Sequence, residues 1–594
     1  MNSAIADLSL ELLLEKCNQL QSSGLIAQVL ETYQAWLQGN QSAQKYIALF
    51  NYGTLLQRSQ QWDQAEQAYR ECIERQPLFA QAIINLGLIL EKKGQTAQAL
   101  QQWSSVIALG LQNDPGHKEL QVMALNHIGR LQEVLKHYDL AEDALKQSLL
   151  INPKQPGVIQ HWVHLRQKAC KWPVYKPFPG ISQNAMMMAT SPLAMLAMVD
   201  DPVLQLLVAQ SFGTRTYRMP EEFLSKDKNY RHKKPRIGYF SGDLCVHAVG
   251  LLLAELFEAR DPARFETYAY DFSPEDGTPH RARLKATFDH WRDIRELDDR
   301  QAANMILADE IDILIDLHGL SSGARPGVFA LHPAPIQGTY LGFIGTTALP
   351  WLDFVIADRY ALPEELALYF TERPLYVSDT FVPLSLGKPL PLTVAREDVG
   401  LPPQAFVMAS FSNIYKVNAP LFESWMNMLK RIDNAVLWLL DDNPSATHNL
   451  RQEAVRQGVA LNRLVFGARV GIAEYKARLQ LADVYLDSYP YNCGSTARDV
   501  LEACVPMVTL SGKTFVSRMA GSLMKACGLE DLITSSLVEY ENTVVNLASD
   551  RPLLAQYRQI LQKNEKKKID RPAKLMRSIE QQLTLLLTEK NMTF

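Results

Sequence analysis

Two hydrophobic periods divide the chain. Through residue 155 the apolar positions recur at helical spacing between short polar turns, as in "NYGTLLQRSQQWDQAEQAYRECIERQP", "NLGLILEKKGQTAQALQQW" and "HIGRLQEVLKHYDLAEDALKQSLLINP". Gly53, Ala65 and Pro77 stand 12 and 12 apart; Gly87 and Ala99 repeat the first pair 34 residues on. Gly129, Ala141 and Pro153 repeat all three after a further 42, with the extra length expected as a loop insertion around "LQNDPGHKE". Each set predicts two amphipathic helices, with Gly and Ala allowing close approach and Pro ending the second. Residues 9–45 predict one more helical pair, and 160–230 read as helices and irregular connection. From Lys234 the period changes, and apolar β-rich runs alternate with helical stretches. The first series predicts strands at "PRIGYFSG", "FETYAYDF", "IDILIDLHG", "APIQGTYLGFIG" and "DFVIAD". The second, from residue 400, predicts strands at "AFVMASFS", "AVLWLLDD", "NRLVFGAR", "VYLD" and "PMVTL", with helices between. Such alternation implies parallel sheets with right-handed crossovers, here two doubly wound domains facing each other.

The first region resembles the tetratricopeptide repeat, which implies protein partners bound along a concave groove. Four segments are expected: repeats over 1–155, a helical linker over 156–232, an N-terminal doubly wound lobe over 233–395 and a C-terminal doubly wound lobe over 396–594 with a final helix. Composition narrows the function. A net charge of −4 gives no basis for nucleic-acid binding. Seven scattered cysteines without a CxxC pair argue against a disulfide framework and a zinc site. The N-terminus lacks a signal-peptide pattern, and the apolar stretch over 184–210 is broken by Pro192, Asp200, Asp201 and Pro202. A cytoplasmic protein without a membrane span is expected. No GxGxxG follows the first strand, and no GxxxxGK[ST] or HExxH occurs, which excludes the usual dinucleotide, P-loop and zincin signatures.

Ligands of open parallel sheets bind where strands run into helix N-termini. Four such loops carry chemistry: "SGDLCVHAVG", "LHPAPIQGTYLGFIGTT", "FSNIYKVNAP" and "YPYNCGSTARDVLEAC". Each also has a plain structural reading. His247 can be structural, Lys416 a solvated helix-start lysine, and Gly342 and Gly345 turn residues needing positive φ. Thr496 with Asp499 reads as a capping box.

Order and spacing of these pieces resemble the O-linked N-acetylglucosamine transferase / SPINDLY family over about residues 45–585. The resemblance implies tetratricopeptide repeats followed by a two-lobed GT-B glycosyltransferase that inverts the anomeric centre and needs no metal or other cofactor. It implies that His247 lies beside sugar and acceptor, as a proposed base, and that Lys416 meets the donor diphosphate. Asn413 stands for a diphosphate-contacting glutamine, Ser495 and Thr496 for phosphate-holding hydroxyls, and Asp499 for the ribose-binding carboxylate. Gly345 and Thr346 would border the sugar pocket, and Arg478 keeps the pattern of the nucleotide-side helix. Departures are Gly494 for His, Cys493 for Gly, Tyr475 for His, His318 for Asn and Leu320 for His or Tyr. They bear on donor identity: UDP-GlcNAc is expected, with GDP-fucose or another UDP-hexose as alternatives. The expected acceptors are Ser or Thr hydroxyls of proteins selected by the repeats. A repeat scaffold with little catalysis is the other class of reading.

Overall fold

The computed structural model describes residues 5–109, 115–219, 223–226, 228–387, 389–392, 394–566 and 570–590. The expected insertion near 111–119 therefore falls partly outside the described residues. The chain forms two compact units, Met1–Leu165 with Pro177–Ser182, and Arg166–Lys176 with Gln183–Phe594.

The first unit is a run of paired helices, including Lys45–Arg58 with Trp62–Arg75, Ala80–Lys92 with Thr96–Ala108, and Pro115–Val134 with Tyr138–Ile151. The repeated glycines have one steric cause. A Cβ on Gly53 would lie 2.9 Å from the Tyr69 ring, on Gly87 2.2 Å from Trp103, and on Gly129 2.3 Å from Leu145. In each repeat the residue sixteen places later fills the space that glycine leaves. Ala65, Ala99 and Ala141 are fully buried at the same helix crossings. Residues 156–165 belong to this unit, not to the expected linker. Trp162 is buried there and packs edge-on against Phe178, with ring centroids 5.1 Å apart.

The second unit holds two parallel sheets. Strands β1 (Arg236–Ser241), β2 (Glu266–Asp271), β3 (His290–Asp293), β4 (Ile313–Asp316), β5 (Ile336–Thr339), β6 (Phe354–Asp358) and β7 (Arg373–Val377) lie in the order β3-β2-β1-β4-β5-β6-β7. Strands β8 (Phe406–Ser410), β9 (Ala435–Leu440), β10 (Leu464–Gly467), β11 (Val484–Leu486), β12 (Met507–Leu510) and β13 (Ile533–Thr534) lie in the order β10-β9-β8-β11-β12-β13. Central strands such as β4 and β8 are buried along their whole length, as sheets covered by helices on both faces require. Each order reverses beside the lobe's first strand, β1/β4 and β8/β11. Those are the switch points where the chain opens a crevice at the strand ends.

The connecting segment is part of this unit. Helix Pro192–Met198 is followed by Asp200, whose carboxylate accepts from Tyr489 Oη (2.9 Å), Lys513 N (2.7 Å), Thr514 Oγ1 (2.9 Å) and Ser517 Oγ (2.7 Å). One side chain thereby fixes two loops of the second lobe. Direct bonds also join the lobes: Ser522 Oγ donates to Asp358 Oδ2 at 2.6 Å, and Tyr360 Oη and Ser511 Oγ lie 2.8 Å apart. The final helix, Arg571–Glu589, packs on the first lobe, where Glu580 accepts from Asp261 N at 2.9 Å. Among the described residues no helix is long and apolar enough to cross a membrane.

Candidate active site

The strand ends of the two lobes enclose a cavity of about 770 Å³. From the first lobe come Asp243, His247, Ser321 and Gly342; from the second come Asn413, Lys416, Arg469, Lys476, Arg478, Tyr491, Ser495, Thr496, Arg498 and Asp499. Two helix starts line it, those of Ala248–Glu258 and Ser495–Glu502. Both present the positive dipole end that favours an anion, and the second has no side-chain cap.

The second start is shaped by an unusual cap. Gly494 is the N-cap and has no side chain, so nothing caps the helix. Thr496 lies inside the first turn, and the capping box expected for Thr496 and Asp499 does not form. A larger residue at 494 would meet the Met519 sulfur at 3.1 Å. Below this turn sits Asp487, buried, whose Oδ1 accepts from Ser488 N and Cys493 N, both at 2.8 Å, and whose Oδ2 accepts from Thr509 Oγ1 at 2.5 Å. Burial pushes the Asp487 carboxyl up to about 6. Cys493 is buried under the loop rather than open to the cavity, and burial pushes its thiol up to about 12. It is a packing residue in its present state.

Lys416 ends a single 3-10 turn, Ile414–Lys416, after β8. Its Nζ lies 3.8 Å from the centroid of the Tyr491 ring. Burial lowers its pKa, while the neighbouring Cys493 and Asp487 oppose that shift. No salt bridge holds it among the described residues, so a half-buried cation faces the cavity with the Tyr491 ring beside it. Asn413 accepts from Arg469 Nη2 at 3.1 Å, and the same guanidinium pairs with Asp442 at 2.5 Å.

Asp499 is held by Lys476 Nζ at 3.3 Å, and Lys476 also pairs with Glu502 at 2.6 Å. Burial raises the Asp499 pKa against the pull of Lys476 and Arg498. Arg498 reaches across the cleft, its Nη1 donating to Leu251 O at 3.1 Å on the helix that His247 begins. Arg478 lines the cavity and pairs with Glu474, while its Nε is buried without a hydrogen-bond partner. His247 is half exposed; its Nδ1 lies 3.3 Å from Asp243 Oδ2 and 3.5 Å from Val249 N.

Gly345 and Thr346 are the expected residues not brought to the cavity wall. Thr346 Oγ1 donates to the buried Glu372 at 2.7 Å, and a Cβ on Gly345 would meet Leu196 at 3.0 Å. Neither Gly342 nor Gly345 has positive φ. Gly342 is required by close approach instead, since a Cβ there would fall 1.9 Å from Leu317 O. Four charged cavity residues were not among the sequence candidates: Asp243, Arg469, Lys476 and Arg498. The Asp243–His247 spacing of four was a legible signal. Lys476 meets Asp499 only because two separate helices converge, which no local pattern announces.

The profile of glycosyl transferase family 41 matches residues 212–384 and 385–571, and tetratricopeptide repeat profiles match 47–78 and 68–101. An Arabidopsis thaliana protein named "Probable UDP-N-acetylglucosamine--peptide N-acetylglucosaminyltransferase SEC" is 33% identical over 391 residues, 62% of this chain and 39% of that protein. A Caenorhabditis elegans UDP-N-acetylglucosamine--peptide N-acetylglucosaminyltransferase is 26% identical over 436 residues, covering 54% and 38%. The chain thus spans about two-fifths of the length of these curated relatives. The structure of a Thermobaculum terrenum O-GlcNAc transferase mutant shares the fold, with a TM-score of 0.64, 24% identity, and coverage of 92% of this chain and 97% of that one. Helical repeats followed by two parallel-sheet lobes are therefore the arrangement in both.

Proposed function

The chain belongs to glycosyl transferase family 41, and on that premise we propose that it moves a sugar from a nucleotide donor to Ser or Thr hydroxyls of proteins, with inversion and without a metal. The observation that carries this reading is Lys416, a half-buried lysine facing the cavity beside the uncapped helix start at Ser495 and Thr496. A departing nucleoside diphosphate gains negative charge, and a cation with preorganised N–H groups stabilises that charge where water is excluded. In the reaction the acceptor oxygen bonds the anomeric carbon from the face opposite the diphosphate. The carbon–phosphate-oxygen bond breaks, and His247 takes the acceptor proton. Asp499 serves the ribose hydroxyls, Asn413 the diphosphate, and Arg478 the nucleotide side.

The proposed donor is UDP-GlcNAc, the donor in the names of the Arabidopsis thaliana and Caenorhabditis elegans relatives. The repeats would select the protein acceptor. All seven cysteines are buried, and the reducing cytoplasm is the proposed place of work. Calorimetry against UDP, GDP, UDP-GlcNAc and GDP-fucose tests the donor. Binding of the uridine pair alone is expected, a guanosine preference moves the donor to GDP-fucose, and no binding at all removes the transferase reading. Lys416→Ala is expected to cut sugar transfer at least 100-fold, the loss seen when one transition-state charge partner is removed. Turnover within threefold of wild type would show that Lys416 does not meet the leaving group.

A further inference from the structure

The wall of the cavity facing Lys416 contains a carboxylate shared by two imidazoles. Asp243 Oδ2 lies 3.3 Å from His247 Nδ1 and 3.2 Å from His318 Nε2. His247 is half exposed to the cavity, whereas His318 has 5% of its side chain accessible, stacked on Phe272. The other nitrogen of His318 lies 2.9 Å from Ser321 Oγ. Its Nε2 is buried and has no aligned hydrogen bond, so Asp243 is the polar group it faces. A buried ring N–H without a partner is costly, and a small tilt toward Asp243 removes that cost.

We propose that Asp243 and His318 are positioning residues for His247: Asp243 fixes the His247 tautomer and stabilises its protonated form, and His318 acts as a neutral donor that holds the Asp243 carboxylate in place. The inference rests on the reading of His247 as the proton acceptor.

Tautomers follow from the contacts. Nδ1 of His247 cannot both donate to Asp243 and accept from Val249 N. The carboxylate is the closer and charged partner, and the 3.5 Å cap contact is at the limit of a hydrogen bond. With the proton on Nδ1, the lone pair is on Nε2, and the ring accepts a proton there. An imidazolium then forms beside a full negative charge. His318 can support that carboxylate without neutralising it only while it stays uncharged. Burial lowers its pKa, and the neighbouring His247 lowers it further, against the opposing pull of Asp243. The Ser321 hydroxyl can then donate to Nδ1 while Nε2–H points to Asp243.

Other charged groups around this loop are committed elsewhere. Asp276 Oδ2 accepts Val246 N at 2.9 Å, and Arg281 Nη1 donates to Leu244 O at 2.8 Å while pairing with Asp271. Asp316 under His318 accepts its backbone N at 2.8 Å and Gly319 N at 3.0 Å, and burial pushes its carboxyl up to about 7. Across the cleft Arg498 is held by Leu251 O. Asp243 is therefore the charge that acts on the His247 ring directly.

The test measures His247 itself and then turnover. Diethyl pyrocarbonate modification of His247, followed by mass spectrometry across pH 5–9 on the full chain, reports its pKa without an acceptor. Asp243→Asn is expected to lower that midpoint, since removing an adjacent negative charge disfavours the imidazolium. His318→Leu removes the donor and is expected to move the midpoint in the same direction by a smaller amount. His318→Gln can present an N–H in place of Nε2 and is expected to restore it. Hydrolysis of UDP-GlcNAc should fall at least 10-fold in Asp243→Asn through kcat, with the acid limb of its pH profile shifted alike, and calorimetric UDP affinity unchanged. An unshifted midpoint in Asp243→Asn, or a His318→Gln variant as impaired as His318→Leu, overturns the proposal. If His247→Gln retains full activity, the acceptor role of His247 fails instead, and the Asp243 midpoint shift separates the two failures. UDP binding in each variant shows that it is folded.

Discussion

At the scale of single residues, Lys416 makes a prediction opposite in sign to an ordinary surface lysine. Burial has lowered its pKa in the free protein, and a bound diphosphate must raise it again by supplying the missing counter-charge. Between the two values binding takes up a proton. Nucleoside diphosphate affinity should therefore weaken as pH rises through that window, and calorimetry in buffers of different ionisation enthalpy should show uptake increasing with pH. Affinity independent of pH across the range in which the free protein is folded would show that binding does not change the charge of the lysine. Asp487 lies close enough to add to this field, and its own titration is separately testable. Its folded pKa of about 6 lies above the ordinary carboxylate value, so ionisation opposes folding. The penalty is absent below about pH 4, grows as pH rises to about 6, and is full above that, on the order of 3 kcal/mol. Asp487→Asn keeps the oxygen that accepts Ser488 N and Cys493 N while removing the charge. Urea unfolding should show wild type losing stability relative to this variant across pH 4–6 and a constant difference above; a difference flat throughout would contradict the buried, titrating carboxylate.

At the scale of elements, the final helix is the place where chain order and spatial order part. It follows the second lobe in sequence but buries Leu575, Met576, Ile579, Leu583, Leu586 and Leu587, with Glu580 bonded to the first lobe. Burial of six such side chains is worth on the order of 10 kcal/mol as an upper estimate. A chain ending at Asp570 should accordingly aggregate or lose cooperative unfolding, and Leu583→Ala should cost about 2–5 kcal/mol in urea unfolding. Full stability in both would mean the helix is dispensable. Periodicity made this helix legible, yet no local pattern says which lobe it will cover. The same limit explains what was read and what was not among the strands. "FVMAS" and "ILID" are buried on both faces and read as apolar runs. "HWRD" at the edge of the first sheet reads as polar, so β3 was passed over, and β13 has only two residues. "APIQGTYLGFIG" looked like one strand because all of it is apolar or small, but pairing stops at Thr339. Its remainder is buried as irregular loop, where Gly342 admits Leu317 O. Candidate residues at strand ends were legible from loop chemistry, whereas Lys476 with Asp499 and His318 with Asp243 required the fold to bring separate segments together.

At the scale of the molecule, the two compact units divide the proposed labour, and the division can be cut. Donor chemistry needs only residues of the second unit, since every side chain lining the cavity lies in it. Acceptor selection is the role proposed for the first. The cut matters: ending a deletion at residue 155 would leave Trp162 and Val163, both buried, without the helices that cover them. Removing residues 1–165 takes out the whole first unit except the short segment Pro177–Ser182. That deletion should abolish transfer to protein while hydrolysis of the nucleotide sugar stays within threefold of the full chain. A gentler variant separates selection from expression problems. Gly87→Leu places a side chain where even a Cβ would lie 2.2 Å from the Trp103 ring, so the Ala80–Lys92 and Thr96–Ala108 pair must separate. Protein modification should fall steeply and donor hydrolysis should not. If both activities fall together in both variants, the repeats serve the stability of the transferase; if protein modification survives both, acceptor choice resides in the lobes, and the role given to the repeats is wrong.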